Sequence, residues 1–253
     1  LAQSTGLGTI SYQYDPLGRR TRMDAPGQAS VFYGYDATSR LRTITQAPLN
    51  PVTLDYDTLG RRTLLTLPNG VSTAYQYDSA SRLTALIYRN ALGPLGDLTY
   101  QYDQAGNRTR IGGSFARTLL PDPVPSATYD PANRQLAFGD KAMTYDASGS
   151  VTSTADSTGV TSFTWNARNQ LTAITGPTTS AFLYDGLGRR VRKTIGGAQT
   201  DFVYDDVDVV QELADGAPMN YLRSLNIDEA PGRGSEFYLT DALGSSVALA
   251  DPS

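Results

Sequence analysis

Residues 9–14 alternate, with Ile10, Tyr12 and Tyr14 on one side and Ser11 and Gln13 on the other. A period of two over six residues predicts a half-buried β-strand. Asp15-Pro16-Leu17-Gly18 follows. Asp first, Pro second and Gly fourth specify a type I turn. Gly18 at positive φ closes a three-residue hairpin loop with a bulge. Residues 19–24 form the return strand, Ala25-Pro26-Gly27-Gln28 the second turn, and residues 31–35 begin the next unit. The same pattern places Thr73, Tyr75 and Tyr77 on one face, then Leu98, Tyr100 and Tyr102. Phe163 and Trp165, Phe182 and Tyr184, and Phe202 and Tyr204 continue the stripe. Return strands carry Leu41 and Ile44, Leu83 and Leu86, Leu171 and Ile174, and Val191 and Ile195. Pro68-Asn69-Gly70 and Gly196-Gly197 supply alternate turns. Two strands and two turns per unit predict roughly twenty to twenty-four strands. No segment of ten residues holds a helical stripe without a Gly or Pro break.

The units share a dipeptide. Tyr-Asp begins at positions 14, 35, 56 and 77, a constant step of 21 residues, and returns at 102, 129, 145, 184 and 204. Trp165-Asn166 is a degenerate copy and Thr240-Asp241 another. A fixed period marks a repeat architecture, which builds an extended surface rather than a single pocket. The fold class is therefore all-β, a tandem array of antiparallel hairpins in one sheet. Three stretches depart from the pattern: a loop within 88–97, an interruption at 112–126 that holds Gly112-Gly113 with Pro121, Pro123 and Pro125, and residues 212–236. None reads as a linker between domains.

Composition narrows the function. The 253 residues are 40% apolar and include 16 tyrosines, which bury area while keeping a polar tip. The net charge of −4 and the lack of a basic stripe argue against a nucleic-acid partner. Arg19-Arg20, Arg61-Arg62 and Arg189-Arg190 read as solvated strand ends. No apolar run is long enough to span a membrane. The chain has no cysteine and no histidine, which removes disulfides, thiolate or imidazole metal sites and Ser-His-Asp or Cys-His catalysis. The Asp of each Tyr-Asp caps its turn. Asp205-Asp206 with Asp208 loosely resembles a calcium cluster but lacks the Gly and distal Glu of a calcium loop. Asp15-Pro16, Asp130-Pro131 and Asp251-Pro252 are turn formers. The aromatic stripe reads as the packed face of the sheet, with sugar stacking as the alternative. The expectation is no catalytic residue, no cofactor and no metal ligand.

Tyr14-Asp15-Pro16-Leu17-Gly18-Arg19-Arg20, Tyr56-Asp57-Thr58-Leu59-Gly60-Arg61-Arg62 and Tyr184-Asp185-Gly186-Leu187-Gly188-Arg189-Arg190-Val191 resemble the YD-repeat, or Rhs, family. Trp165-Asn166-Ala167-Arg168-Asn169-Gln170-Leu171 looks like a variant of the motif. Phe237-Tyr238-Leu239-Thr240-Asp241-Ala242-Leu243-Gly244-Ser245 looks like the opening of the Rhs-associated core. The resemblance implies a β-sheet that spirals into a hollow shell. In bacterial polymorphic toxins and insecticidal toxin complexes such a shell encloses a C-terminal toxin, and in animal teneurins a similar barrel serves adhesion. Some bacterial members cleave their own chain with aspartates beyond the core, a region that should lie past Ser253.

On this reading residues 1–236 are the YD-repeat array and 237–253 the start of the core. The expected function is structural: a shell segment of a large secreted or surface-delivered bacterial protein. The segment encapsulates or displays a C-terminal effector and has the rest of its own chain as partner. The alternative is an extended module that binds a glycan or cell-surface partner. Both ends fall inside the pattern. Ile10-Ser11-Tyr12 begins a regular strand and Val247-Ala248-Leu249-Ala250 ends as an apolar one. Leu1 is not an initiator, so the chain is expected to be a piece of something larger, with unpaired edges that invite association.

Overall fold

The computed structural model describes residues 2–117, 123–226 and 229–251. Twenty-five strands lie among them, one more than the upper expectation, and no helix. All neighbouring strands whose registers are defined run antiparallel and follow chain order. They form two sheets rather than one. Eleven strands from Ala2–Thr5 to Arg108–Gly112 make the first, and fourteen from Ala127–Tyr129 to Ser246–Ala250 the second. The break falls in the expected interruption at 112–126, of which Pro121 lies outside the described residues. After Gly113, at φ 101°, the chain folds back on the preceding strand. Ser114 donates from N and Oγ to Asp97 Oδ1 at 3.0 and 2.9 Å, and the Phe115 ring sits 5.3 Å from that of Tyr88.

The hairpin physics is as the pattern predicts. Gly18 N donates to Asp15 O and Asp15 N to Arg19 O, closing a three-residue loop. The register then shifts between Gln13 and Tyr14, the expected bulge. Gly18, Gly60, Gly106 and Gly188 have φ of 77°, 80°, 86° and 86°. Ser39, Ser81, Asn133 and Asn169 take the same left-handed position in other units, at 59–66°.

The loop expected within 88–97 is instead a continuous hairpin. Leu83–Asn90 pairs with Gly93–Tyr102, and only Ala91 and Leu92 turn. Asn90 Oδ1 accepts Leu92 N and Gly93 N, and a register shift between Pro94 and Gly96 absorbs the proline, which cannot donate to a ladder. Residues 212–236 are also more regular than expected. Asp215 and Gly216, both at positive φ, make a tight turn between Asp208–Ala214 and Ala217–Leu222. At the other end Ala2–Thr5 pairs with residues 8–11, so the strand carrying Ile10 has a backbone partner on that side.

The chain divides into two compact units. The first comprises Leu1–Thr118, Tyr204–Gln211 and Met219–Ser253. Its core holds Ile10, Met23, Val31, Ile44, Val52, Leu54, Leu67, Leu86 and Tyr88, with Phe237 and Leu239 from the late strands. The second comprises Leu119–Val203 and Glu212–Pro218. Its aromatic side carries Met143, Tyr145, Phe163, Trp165 and Tyr184, all half-buried, and Phe182, which is buried. Thr144, Ser162 and Thr164 are exposed on the opposite side. The stripe fails at one strand: Val203 is 1% exposed, whereas its neighbours Phe202 and Tyr204 are half-buried.

Gly18 isolates the backbone contribution, because a Cβ placed there meets nothing within 4 Å. Gly18→Val should destabilise by about 1–2 kcal/mol through positive-φ strain alone. Urea unfolding measures it, and an unchanged midpoint would contradict the assigned turn.

Candidate functional site

The repeated motif assembles one polar lock per unit. The Asp carboxylate does two jobs. Oδ1 accepts the backbone N–H groups two and four residues on, at 2.9–3.0 Å in Asp15, Asp36, Asp57, Asp78, Asp130 and Asp185. Oδ2 accepts Nε of the Arg four residues on, at 2.6–2.7 Å, in the same six copies. In five of the six that guanidinium then lies over the next unit's aromatic ring. Arg19 covers Tyr35 at 4.5 Å, Arg40 covers Tyr56 at 4.7 Å, and Arg61 covers Tyr77 at 4.6 Å. Arg82 covers Tyr102 at 5.1 Å and Arg134 covers Tyr145 at 5.3 Å.

The ring's phenol completes the lock. Tyr35 Oη donates to Arg20 O at 2.6 Å, Tyr56 to Leu41 O at 2.7 Å and Tyr77 to Arg62 O at 2.9 Å. Tyr102, Tyr145 and Tyr184 donate to Leu83 O, Gln135 O and Leu171 O, and Trp165 Nε1 to Val151 O. In every case the acceptor stands five residues after the preceding Asp or Asn. The reason is local. Pairing between successive hairpins begins only two residues past that carbonyl, at Arg22, Thr43, Leu64, Ala85, Ala137, Ser153 and Ala173. The strands part toward the Tyr-Asp edge, so the carbonyl beyond the last backbone pair needs a donor. The phenol supplies it. A ladder of equivalent tyrosines is therefore present for Tyr35, Tyr56, Tyr77 and Tyr102. Tyr14, 41% exposed, heads the row.

The arginine pairs expected to be solvated strand ends are held. The first of each pair is the lock arginine. In the first unit Arg20 binds Asp205 Oδ2 at 2.5 Å, and Tyr12 Oη donates to Asp205 Oδ1 at 2.7 Å. Arg62 binds Glu229 Oε1 at 2.5 Å, and Glu229 also accepts from the Ser224 hydroxyl and from Asn226 Nδ2 at 2.7 Å. Nothing in sequence spacing marks Asp205 or Glu229 as these partners. Burial pushes the Tyr33 phenol beside Arg20 up to about 12. Burial also raises Glu229, but the hydrogen bond and charge of Arg62, with Ser224 and Asn226, more than offset it and hold the carboxyl below its ordinary value.

The acidic trio is dispersed among these roles. Asp205 serves Tyr12 and Arg20, Asp208 pairs with Arg223 at 3.3 Å, and Asp206 sits in a turn at φ 52°. Among the described residues no group of three His, Cys, Asp or Glu side chains could hold a metal ion. The first unit also contains a cavity of about 490 Å³ beside the Arg62–Glu229 pair, lined further by Tyr75, Tyr238 and Asp241. The turn at residues 240–245 is fixed there by Tyr88 Oη donating to Thr240 O at 2.8 Å and Ala242 N donating to Tyr100 Oη at 3.1 Å.

Comparison with known proteins places this geometry. Residues 71–215, more than half of the chain, match the family described as teneurin YD-shell. The tRNA nuclease WapA of Bacillus subtilis is 26% identical over 168 residues, covering 61% of this chain and 7% of that protein. The tRNA3(Ser)-specific nuclease WapA of Bacillus spizizenii is 28% identical over 170 residues, 62% of this chain. The chain thus spans 7% of the length of these relatives. The Photorhabdus luminescens Tc holotoxin pore superposes with a TM-score of 0.57 at 16% identity, over 96% of this chain and 17% of that one. The crystal structure of TcdB2-TccC3-TEV gives 0.60 at 14% identity, over the same shares. At these identities the structural likeness concerns the fold.

Two outcomes test the lock. Tyr56→Phe should cost about 1 kcal/mol by leaving the Leu41 carbonyl without its donor, measured by urea unfolding. The second is a pH dependence. Asp15, Asp36, Asp78 and Asp130 are lowered first by the amide of the residue four on, and Glu229 is lowered as above. A carboxyl lowered in the folded state stabilises above its unfolded value, and the contribution is lost as pH falls through the folded one. The unfolded values are 3.8 and 4.5. The urea midpoint should therefore fall as pH drops from about 5 to about 2, and less steeply in Glu229→Gln.

Proposed function

The chain belongs to the teneurin YD-shell family, and from that premise we propose that it is a wall segment of a large secreted or surface-delivered bacterial protein, built to enclose or display a C-terminal effector. Its role is structural rather than enzymatic. Residues 1–236 are the YD-repeat array of that wall, and residues 237–253 open the core that leads toward the effector. The observation that carries the reading is the lock itself. Its side chains are spent on holding hairpin to hairpin. The nuclease activity named for the WapA proteins belongs to those proteins, of which this stretch corresponds to 7%.

The lock also bears on the glycan alternative. Sugar stacking needs a free aromatic face, whereas Tyr35, Tyr56, Tyr77, Tyr102 and Tyr145 are each covered by an arginine and hydrogen-bonded through the phenol. That favours a wall over a sugar platform. Limited proteolysis of the full-length protein tests the proposal. The C-terminal region should resist protease while the wall is intact and become cleavable when Tyr35, Tyr56 and Tyr77 are all changed to Phe. A C-terminal region cut at equal rates in both proteins would reject enclosure. Saturable binding on a glycan array would restore the alternative.

A further inference from the structure

In six copies of the motif an Asp turn binds the Arg four residues on, and in five of them that Arg covers a tyrosine. The turn at Asp241 keeps the carboxylate and loses the arginine. Its backbone is that of the other copies: Asp241 N donates to Ser245 O at 2.9 Å, and Gly244, at φ 84°, donates to Asp241 O at 3.2 Å. Asp241 Oδ1 accepts Leu243 N at 2.8 Å and Ser245 N at 2.9 Å, as every capping Asp does. Residue 245 is serine, as residue 150 is after Asp146, so the position that in the six copies sends a guanidinium to Oδ2 is empty of charge. Oδ2 of Asp241 has no hydrogen-bond or ion-pair partner among the described residues.

Asp241 lines the cavity of about 490 Å³ described above, with Arg62, Glu229, Tyr75 and Tyr238 in the same wall. Glu229 already neutralises Arg62, which leaves Asp241 as the uncompensated charge among the lining residues. The turn is also held in place from both sides by Tyr88 and Tyr100. A fixed carboxylate beside aromatic rings in a partly enclosed space favours a planar cation that can pair and stack at once.

We propose that this cavity is an arginine-binding site, which takes in trans, from a polypeptide segment, the guanidinium that the repeats supply in cis. The six copies show the ligand geometry: guanidinium nitrogen 2.6–2.7 Å from Oδ2. The inference does not depend on what the wall encloses, since it rests on one turn and its missing side chain.

The test is a titration of the 253-residue chain with N-acetyl-arginine amide, read from backbone amide NMR shifts. Saturable shifts centred on residues 241–245 are expected, and none with the uncharged isostere N-acetyl-citrulline amide. Asp241→Asn should weaken binding about tenfold by removing the charge from the hydrogen bond. It should keep the turn, because Asn166 caps the same turn by accepting Arg168 N and Gln170 N at 2.9 and 3.0 Å. Ser245→Arg restores the consensus and should abolish binding by filling the site. Equal shifts with the citrulline compound, or unchanged affinity in either variant, would overturn the proposal. Free L-arginine binding as tightly as the capped form would overturn the polypeptide source.

Discussion

The structure depends on one unmet hydrogen bond per repeat. Neighbouring hairpins of this kind stop pairing two residues short of the carbonyl nearest the Tyr-Asp edge, because the strands part there. Each parting strands a carbonyl, and a stranded carbonyl shielded from water costs about 1–3 kcal/mol. The tyrosine phenol removes that cost. Its ring fills the wedge that the parting opens, and the arginine of the previous turn closes over the ring. The aspartate that caps the turn also aims the arginine. One dipeptide therefore sets the turn, the spacing and the joint between units. A wedge of constant sense between units is also the local requirement for curving a sheet into a wall, which ties the lock to the proposed role.

The half-buried ion pairs of the first unit serve a different end. Desolvating Arg62 and Glu229 opposes much of what their attraction returns, so such a pair is a poor source of net stability. It is a stronger source of discrimination, because either charge without the other would be left half-buried and unpaired. Arg20 with Asp205 and Arg62 with Glu229 join early strands to residues more than 160 positions later. The apolar core of this unit, from Ile10 to Leu239, would tolerate small slips in register. The charged pairs would not.

How much of this the sequence reveals depends on range. The strands, the left-handed turn glycines and the capping aspartates are set by neighbours within five residues, and alternation and turn chemistry expose them. The tyrosine row is legible because a constant 21-residue step puts like beside like. The arginine that covers each ring is visible as a position and invisible as a role, since the lock links one unit's turn to the next unit's strand. Asp205 and Glu229 leave no trace in spacing, because their partners are fixed only by the tertiary fold. The hairpin at Leu83–Tyr102 was obscured by the run of Gly and Pro, which reads as a loop until the Asn90 cap and the bulge at Pro94 are seen to accommodate it.

The degenerate copies rank the parts of the lock. Asp146 is followed at the fourth position by Ser150, and Asn166 by Gln170, so in neither copy does that position offer an arginine. Yet Trp165 still donates to Val151 O and Tyr184 to Leu171 O. Even the change from phenol to indole keeps the donor, and the change from Asp to Asn keeps the turn cap. The cation is thus the dispensable part and the bond to the carbonyl the indispensable one. This order follows from the energetics. A half-exposed guanidinium pair contributes modestly because water competes for both partners, whereas the carbonyl between two parting strands has no other donor to turn to.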